Sequence, residues 1–222
     1  KKGDMMAPGI FLKLLRTEFP ENVIHLCAIH TDSRLPEKYI LAKDGKQWFI
    51  GPDNGFLPIG LTEEATYYKL PELPYGKDPM FHCFVPVLQT LMENHFSTES
   101  FEAEEKPRKY LFPTPTVTGN VWRLMVVYND AEGNAYLNMD KSEFEKFTSN
   151  RSFRIRLGLK DNIEQISASY RDVQEGNKLA LFGYGNLLQI AIHCGSAEQY
   201  LGLKYGTMVM LEISESSILN SA

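Results

Sequence analysis

The chain has 222 residues, 43% hydrophobic and 23% charged, with a formal net charge of -5 and a pI near 5.6. That is the composition of an ordinary soluble globular protein with one large domain or two small ones. The acidic balance argues against a nucleic-acid partner, because phosphate recognition needs clustered Lys and Arg and here they are scattered among acids.

Residues 5–19 read as a helix, with Met6, Ile10, Leu14 and Leu15 at helical spacing and Pro20 as the stop. Residues 23–29 form a continuous apolar run and predict a strand covered on both faces. Residues 39–42 and 47–50 flank Asp44-Gly45, a strong hairpin signal. Residues 51–55 mark a tight loop at the end of a strand, and residues 66–70 read as a further strand. Residues 78–92 suit a helix capped by Asp78, with Pro79 at its first position and Pro86 kinking or dividing it. Residues 96–115 are rich in charge and proline and read as a linker.

Beyond it the pattern is mainly strand. Residues 121–128 lead through the turn Asp130-Ala131-Glu132-Gly133 into 134–137. Residues 140–147 read as a short helix, 153–157 as a half-exposed strand, and 163–167, 179–182, 187–192 and 208–213 as further strands. A helical turn is expected at 196–201. The fold class is therefore an α/β N-terminal domain, residues 1–112, followed by a mainly-β C-terminal domain, residues 113–222.

Cys27, Cys83 and Cys194 have no close spacing, so no zinc or redox motif is supported. Cys27 and Cys83 lie in apolar runs and read as buried free thiols, which favours a reducing, cytoplasmic setting. No apolar run reaches the roughly 18 to 20 residues that span a bilayer, and the start of the chain lacks the features of a signal peptide. His95 and His193 show no ligand spacing, so no metal site is expected. His25 reads as a packing residue and His82 as a core histidine on an apolar helix face.

Four segments, taken in order, resemble a known family. Phe19-Pro20-Glu21-Asn22-Val23-Ile24-His25-Leu26 is similar to "FPxGTVHL", and Trp48-Phe49-Ile50-Gly51-Pro52-Asp53-Asn54-Gly55 to "YFVxPDNG". Asp130-Ala131-Glu132-Gly133-Asn134 resembles "DxxGN". Leu187-Leu188-Gln189-Ile190-Ala191-Ile192, followed by Gly195-Ser196-Ala197 and Leu201-Gly202, resembles "LEIAxxxGSAxxxLG". These motifs belong to the S-adenosyl-L-methionine (SAM) hydroxide adenosyltransferase family, which is related to SAM-dependent chlorinases and fluorinases.

The resemblance implies a barrel-like second domain, a homotrimer, and SAM bound where one subunit meets the next. It implies displacement at the 5′-carbon of SAM by water or hydroxide, giving adenosine and methionine, with SAM as substrate or ligand and no other cofactor. Asp130 would take the methionine ammonium and Asn134 the adenine edge; the alternative is a well-made hairpin turn. Asp53 and Asn54 would shape a loop lining the ligand crevice, a structural rather than a catalytic task.

The chain also departs from the family. Where the family has "VDPGVGTxR", this sequence reads Ile29-His30-Thr31-Asp32-Ser33-Arg34-Leu35-Pro36-Glu37-Lys38. His30 takes the Asp position, while Asp32 and Arg34 are near but displaced, so His30, Asp32 and Arg34 are the candidate catalytic residues. His30 could act as a base on water, or be a polar loop residue at a strand end. At Phe81-His82-Cys83-Phe84-Val85-Pro86, His82 falls on an Asp of "FHGRDxFxP". Gly183-Tyr184-Gly185-Asn186 stands where the family has "NSxG", which puts bulky Tyr184 at a SAM-contacting Ser. The family's leading "DFGxxDxY" segment is not in this sequence: either the sequence as given omits it or the protein lacks it. Two functions stay open, a SAM hydrolase, or a binder or scaffold of the same fold without turnover.

Overall fold

The computed structural model describes residues 5–29, 38–73, 76–149, 151–158 and 161–213. The chain divides into two compact units, Lys1–Phe112 and Pro113–Ala222.

The first unit begins with α1 (Met6–Leu15), which ends in a tight turn, and the edge strand β1 (Val23–Leu26). The hairpin β2 (Tyr39–Asp44) and β3 (Gln47–Pro52) follows, then the single turn α2 (Leu57–Gly60) and β4 (Thr66–Lys69). A wide helical turn, Met80–Phe84, runs into α3 (Val85–Glu93). The four-stranded sheet has the order β1-β3-β2-β4. β1 lies parallel to β3, and the other pairs are antiparallel.

Strand alternation sends the side chains of β2 and β3 to opposite faces. Tyr39, Leu41, Trp48 and Ile50 pack with Cys83, Phe84, Val87 and Leu91 under the α3 helix. Ile40, Ala42 and Phe49 pack with Met5, Phe56 and Leu57 on the other face. α1 and α2 touch closely: a Cβ on Gly9 would stand 2.6 Å from Ile59, so only glycine fits.

Several expectations need correction. β1 is partly exposed rather than covered on both faces, because it is the outer strand of the order, whereas β2 and β3 hold the middle. The interruption expected at Pro86 is present: the wide turn Met80–Phe84, closed by Val85 N–H on Met80 O, gives way to α3 at Val85, with Pro86 in the first turn of α3. Asp78 does cap this helix, accepting Met80 N–H at 2.8 Å. His82 is exposed, not in the core, because Cys83, Phe84, Val87 and Leu91 form the inward stripe. Residues 96–112 are no free linker. They pack on the first unit, where Glu102 O accepts Lys69 N–H, Glu104 N–H bonds Tyr67 O, and Lys69 pairs with Glu102. Cys83 is buried and Cys27 half-buried, and burial pushes their thiols up to about 11 and about 12.

The second unit starts with the hairpin β5 (Thr116–Thr118) and β6 (Val121–Asn129), then β7 (Ala135–Asp140) and α4 (Lys141–Thr148). Asp140 and Glu143 form a reciprocal capping box at the start of α4. β8 (Phe153–Arg156), β9 (Asn162–Ile163), β10 (Lys178–Phe182) and β11 (Leu187–Ile192) follow. α5 (Ala197–Tyr200) and β12 (Met208–Ile213) complete the unit. β9 is shorter than the expected strand at 163–167 because the chain leaves β8 after Ile163 and moves to β10.

The strand order is β10-β11-β7-β6-β12-β8-β9, antiparallel throughout, with β5 added on β6. Ile166, just after β9, bridges Ala180 of β10, and Ser167 N–H bonds Ala180 O at 2.7 Å. The two ends of the order therefore meet, and the sheet is nearly closed like a barrel. Leu124, Leu137, Met139, Ile155, Leu188, Ile190 and Leu211 fill its interior. The fold class is the α/β unit and mainly-β, barrel-like unit expected from the sequence.

Candidate functional site

In the first unit the Pro52–Gly55 loop ties together distant segments. Asp53 Oδ1 accepts the Arg108 N–H at 2.7 Å, and its own N–H bonds Lys38 O at 2.8 Å. Asn54 Nδ2 donates to Ile29 O at 3.0 Å, and Asn54 Oδ1 accepts Phe56 N–H at 3.4 Å. The loop thus holds the residues on either side of segment 30–37. His30, Asp32 and Arg34 lie outside the described residues.

In the second unit Asp130 ends the β6 hairpin. Its Oδ1 accepts the N–H groups of Glu132 (3.0 Å) and Asn134 (2.9 Å). Its Oδ2 accepts Asn134 Nδ2–H at 2.9 Å and the Tyr136 hydroxyl at 3.3 Å. Gly133 supplies the positive φ of +80° that the turn needs, and a Cβ there would run into Ser196 Oγ. Ser196 caps α5 by accepting Gln199 N–H, and Glu198 N–H bonds Gly133 O at 2.9 Å. The "DxxGN" and "GSA" segments, far apart in sequence, therefore build one corner.

Beside this corner lies a row of outward-facing residues across β10, β11, β7 and β6. Register places Leu181 against Gln189, Gln189 against Tyr136, and Tyr136 against Tyr128. The Tyr128 and Tyr136 rings stand 5.7 Å apart. Tyr170 donates its hydroxyl to Gln189 Oε1 at 3.1 Å. Burial, reinforced by the Asp130 carboxylate, pushes the Tyr128 and Tyr136 phenols up. Burial also raises Tyr170, with Gln189 acting in the opposite sense. These hydroxyls stay protonated and act as neutral donors.

The structure brings Asp130 and Asn134 into direct contact, and Asp53 beside Asn54 in the separate loop. Tyr184 is 60% exposed, so it does not plug the surface of its own unit. Sequence reading missed Tyr128, Tyr136, Tyr170 and Gln189. The available signal was Gln189, a lone polar residue in the apolar run of β11, on the same sheet face as Tyr136. Among the described residues no group of His, Cys, Asp and Glu is placed to hold a metal, and no helix is long and apolar enough to cross a membrane.

Comparison with known proteins covers both units. The SAM hydroxide adenosyltransferase N-terminal domain matches residues 1–101 and the C-terminal domain of the same family matches 124–210. An uncharacterized conserved protein from Thermotoga maritima superposes with a TM-score of 0.74 at 22% identity, covering 95% of this chain and 85% of that one. A conserved hypothetical protein from Thermus thermophilus gives 0.66 at 19% identity, covering 96% and 83%. These two share the fold, while the two family matches support a SAM-utilising function and a small-molecule ligand. With both domains matched in order along the chain, the protein belongs to the SAM hydroxide adenosyltransferase family.

Proposed function

We propose that the protein is a SAM hydrolase, converting SAM and water to adenosine and L-methionine, with SAM as substrate and no further cofactor. The oxygen of water or hydroxide forms a bond to the 5′-carbon as the bond from that carbon to sulfur breaks. The electron pair goes to sulfur, which leaves as the neutral thioether of methionine, and the proton of water passes to a base or to solvent. A sulfonium leaving group is already cationic and needs no acid, so catalysis consists of aligning the nucleophile and stripping its water. His30, Asp32 and Arg34 are the proposed source of that base and of the charge around the nucleophile.

The observation that carries this reading is the Asp130 corner. A carboxylate held in place by its own turn, beside Tyr136, is suited to a cationic amino-acid head group. Asn134 offers an amide for the adenine edge: its Nδ2 is engaged by Asp130, which leaves Oδ1 as the acceptor for a purine amino group. The Pro52–Gly55 loop supports the nucleophile side by fixing Ile29 and Lys38. The proposed particle is a homotrimer, and the free cysteines suit a reducing cytoplasm.

A second reading, SAM binding without turnover, is favoured by the sequence of segment 30–37, where His30 and Glu37 replace the family's Asp and Arg. The assay that separates them is incubation of the purified protein with SAM and chromatography for adenosine and methionine. Hydrolysis predicts both products in equal amounts. Thermal stabilisation by SAM with no adenosine above a heat-killed control would leave only the binder.

A further inference from the structure

Gln189 breaks a packing rule. It lies in the middle of β11, only 1% exposed, between the apolar residues Leu187, Leu188, Ile190, Ala191 and Ile192. Its Oε1 accepts the Tyr170 hydroxyl, but its Nε2 is fully buried with no hydrogen-bond partner among the described residues. A buried donor left unmade costs stability, and leucine at this position would carry no such penalty. The backbone is also cleared for the amide, since a Cβ on Gly183 would stand 2.9 Å from Gln189 Oε1. Trp122 Nε1 on β6 is also buried without a partner among the described residues, but its ring packs on Phe147 as an apolar body. The Gln189 side chain is instead a polar amide that leucine could replace, and a local violation of that kind marks a functional demand.

The neighbours say what the demand is. Gln189 faces Tyr136 across the β11–β7 pair, and Tyr136 donates its hydroxyl to Asp130. On the other side, the backbone that carries Tyr170 is fixed without help from Gln189. Asp172 accepts the N–H groups of Ala168 and Ser169, and Ser169 Oγ accepts Arg171 N–H. What Gln189 adds is the placement of the Tyr170 ring and hydroxyl. A continuous line of side chains then runs from Tyr170 through Gln189 and Tyr136 to Asp130.

We propose that Gln189 is a positioning residue, which holds Tyr170 so that Tyr170 and Tyr136 form the aromatic wall beside Asp130 that selects the cationic methionyl part of the ligand. This rests on the SAM reading above and adds the residues that set its preference for a cation. Aromatic faces attract a cation through their negative quadrupole, and the attraction depends on the ring being held in place. Adenosine carries no charge and gains nothing from the wall.

The test is calorimetric titration of wild type, Gln189→Leu, Tyr170→Phe and the double variant with SAM and with adenosine, beside thermal unfolding of each. The expected result is a loss of about 2- to 30-fold in SAM affinity in either single variant, the span from an exposed to a desolvated cation–aromatic contact. Adenosine affinity should stay unchanged, and the double variant should be no weaker than the singles, since both break one link. Gln189→Leu should melt no lower than wild type. The inference is overturned if wild type binds both ligands and Gln189→Leu binds SAM as wild type does, or if both affinities fall together. A wild type that binds neither ligand would remove the SAM reading itself, and this inference with it.

Discussion

Replacing Asp130 by alanine tests the corner on which the site is built. The carboxylate accepts the N–H groups of Glu132 and Asn134, Asn134 Nδ2–H and the Tyr136 hydroxyl. The Glu132 N–H is exposed and water replaces its partner at little cost. Asn134 and Tyr136 are buried, at 7% and 6% exposure, so their donors lose a partner that water cannot easily supply. A buried donor left unmade costs about 1–3 kcal/mol. Allowing for partial rescue by rotation of the Tyr136 hydroxyl, Asp130→Ala should destabilise the protein by about 2–4 kcal/mol. Asp130→Asn keeps an acceptor for the two backbone donors but turns an NH₂ toward Asn134 Nδ2, so about 1–2 kcal/mol is expected. The assay is urea unfolding followed by fluorescence, where a lower midpoint at unchanged slope reads as lost stability. Asp130→Asn, which keeps most of the turn, should also weaken SAM about 10- to 100-fold by removing a charge-assisted hydrogen bond. If Asp130→Ala unfolds within about 0.5 kcal/mol of wild type, a surface-like effect, the carboxylate does not build the turn and the argument fails.

Other outcomes follow from single residues. Gly133→Ala places a side chain in the left-handed region and against Ser196, and should cost at least about 1–2 kcal/mol in the same urea assay; a neutral result would contradict the close contact of the two segments. Asn54→Ala frees the Ile29 carbonyl and should cost about 1 kcal/mol while lowering SAM turnover, and normal stability and turnover would refute the anchoring role. His25, stacked on Phe49 at 4.5 Å, has its pKa lowered by burial, against a smaller raising effect of Gln47. Its folded pKa lies below the unfolded value of about 6.5, so its stabilising contribution is full above that pH and is lost as pH falls. His25→Phe should therefore flatten the fall in stability between pH 7 and 5, and identical pH profiles would contradict the assignment.

What was legible in the sequence was local. Asp44-Gly45 between two alternating runs specified the β2–β3 hairpin, and Asp140 with Glu143 specified the start of α4. Neighbours set by the sheet order were not legible. Residues 23–29 look like a central strand by composition, yet among the described residues β1 pairs with β3 alone. His82 sits one position from a buried stripe, but at helical spacing it falls on the face opposite Leu91, so its exposure follows from the period and was obscured by its apolar neighbours Phe81, Cys83 and Phe84. The charged segment 96–115 reads as a linker because its charges pair with residues distant in sequence, such as Glu102 with Lys69. At the candidate site, Asp130 and Asn134 were visible through a turn motif. Tyr170 and Gln189 come from separate segments that only the barrel pairing brings together.

The most direct measurement is SAM turnover in water enriched in oxygen-18, with mass analysis of the nucleoside product. The account predicts adenosine carrying one heavy oxygen at its 5′-position, together with an equal amount of methionine. No adenosine above a heat-killed control, or adenosine without the heavy oxygen, would contradict it.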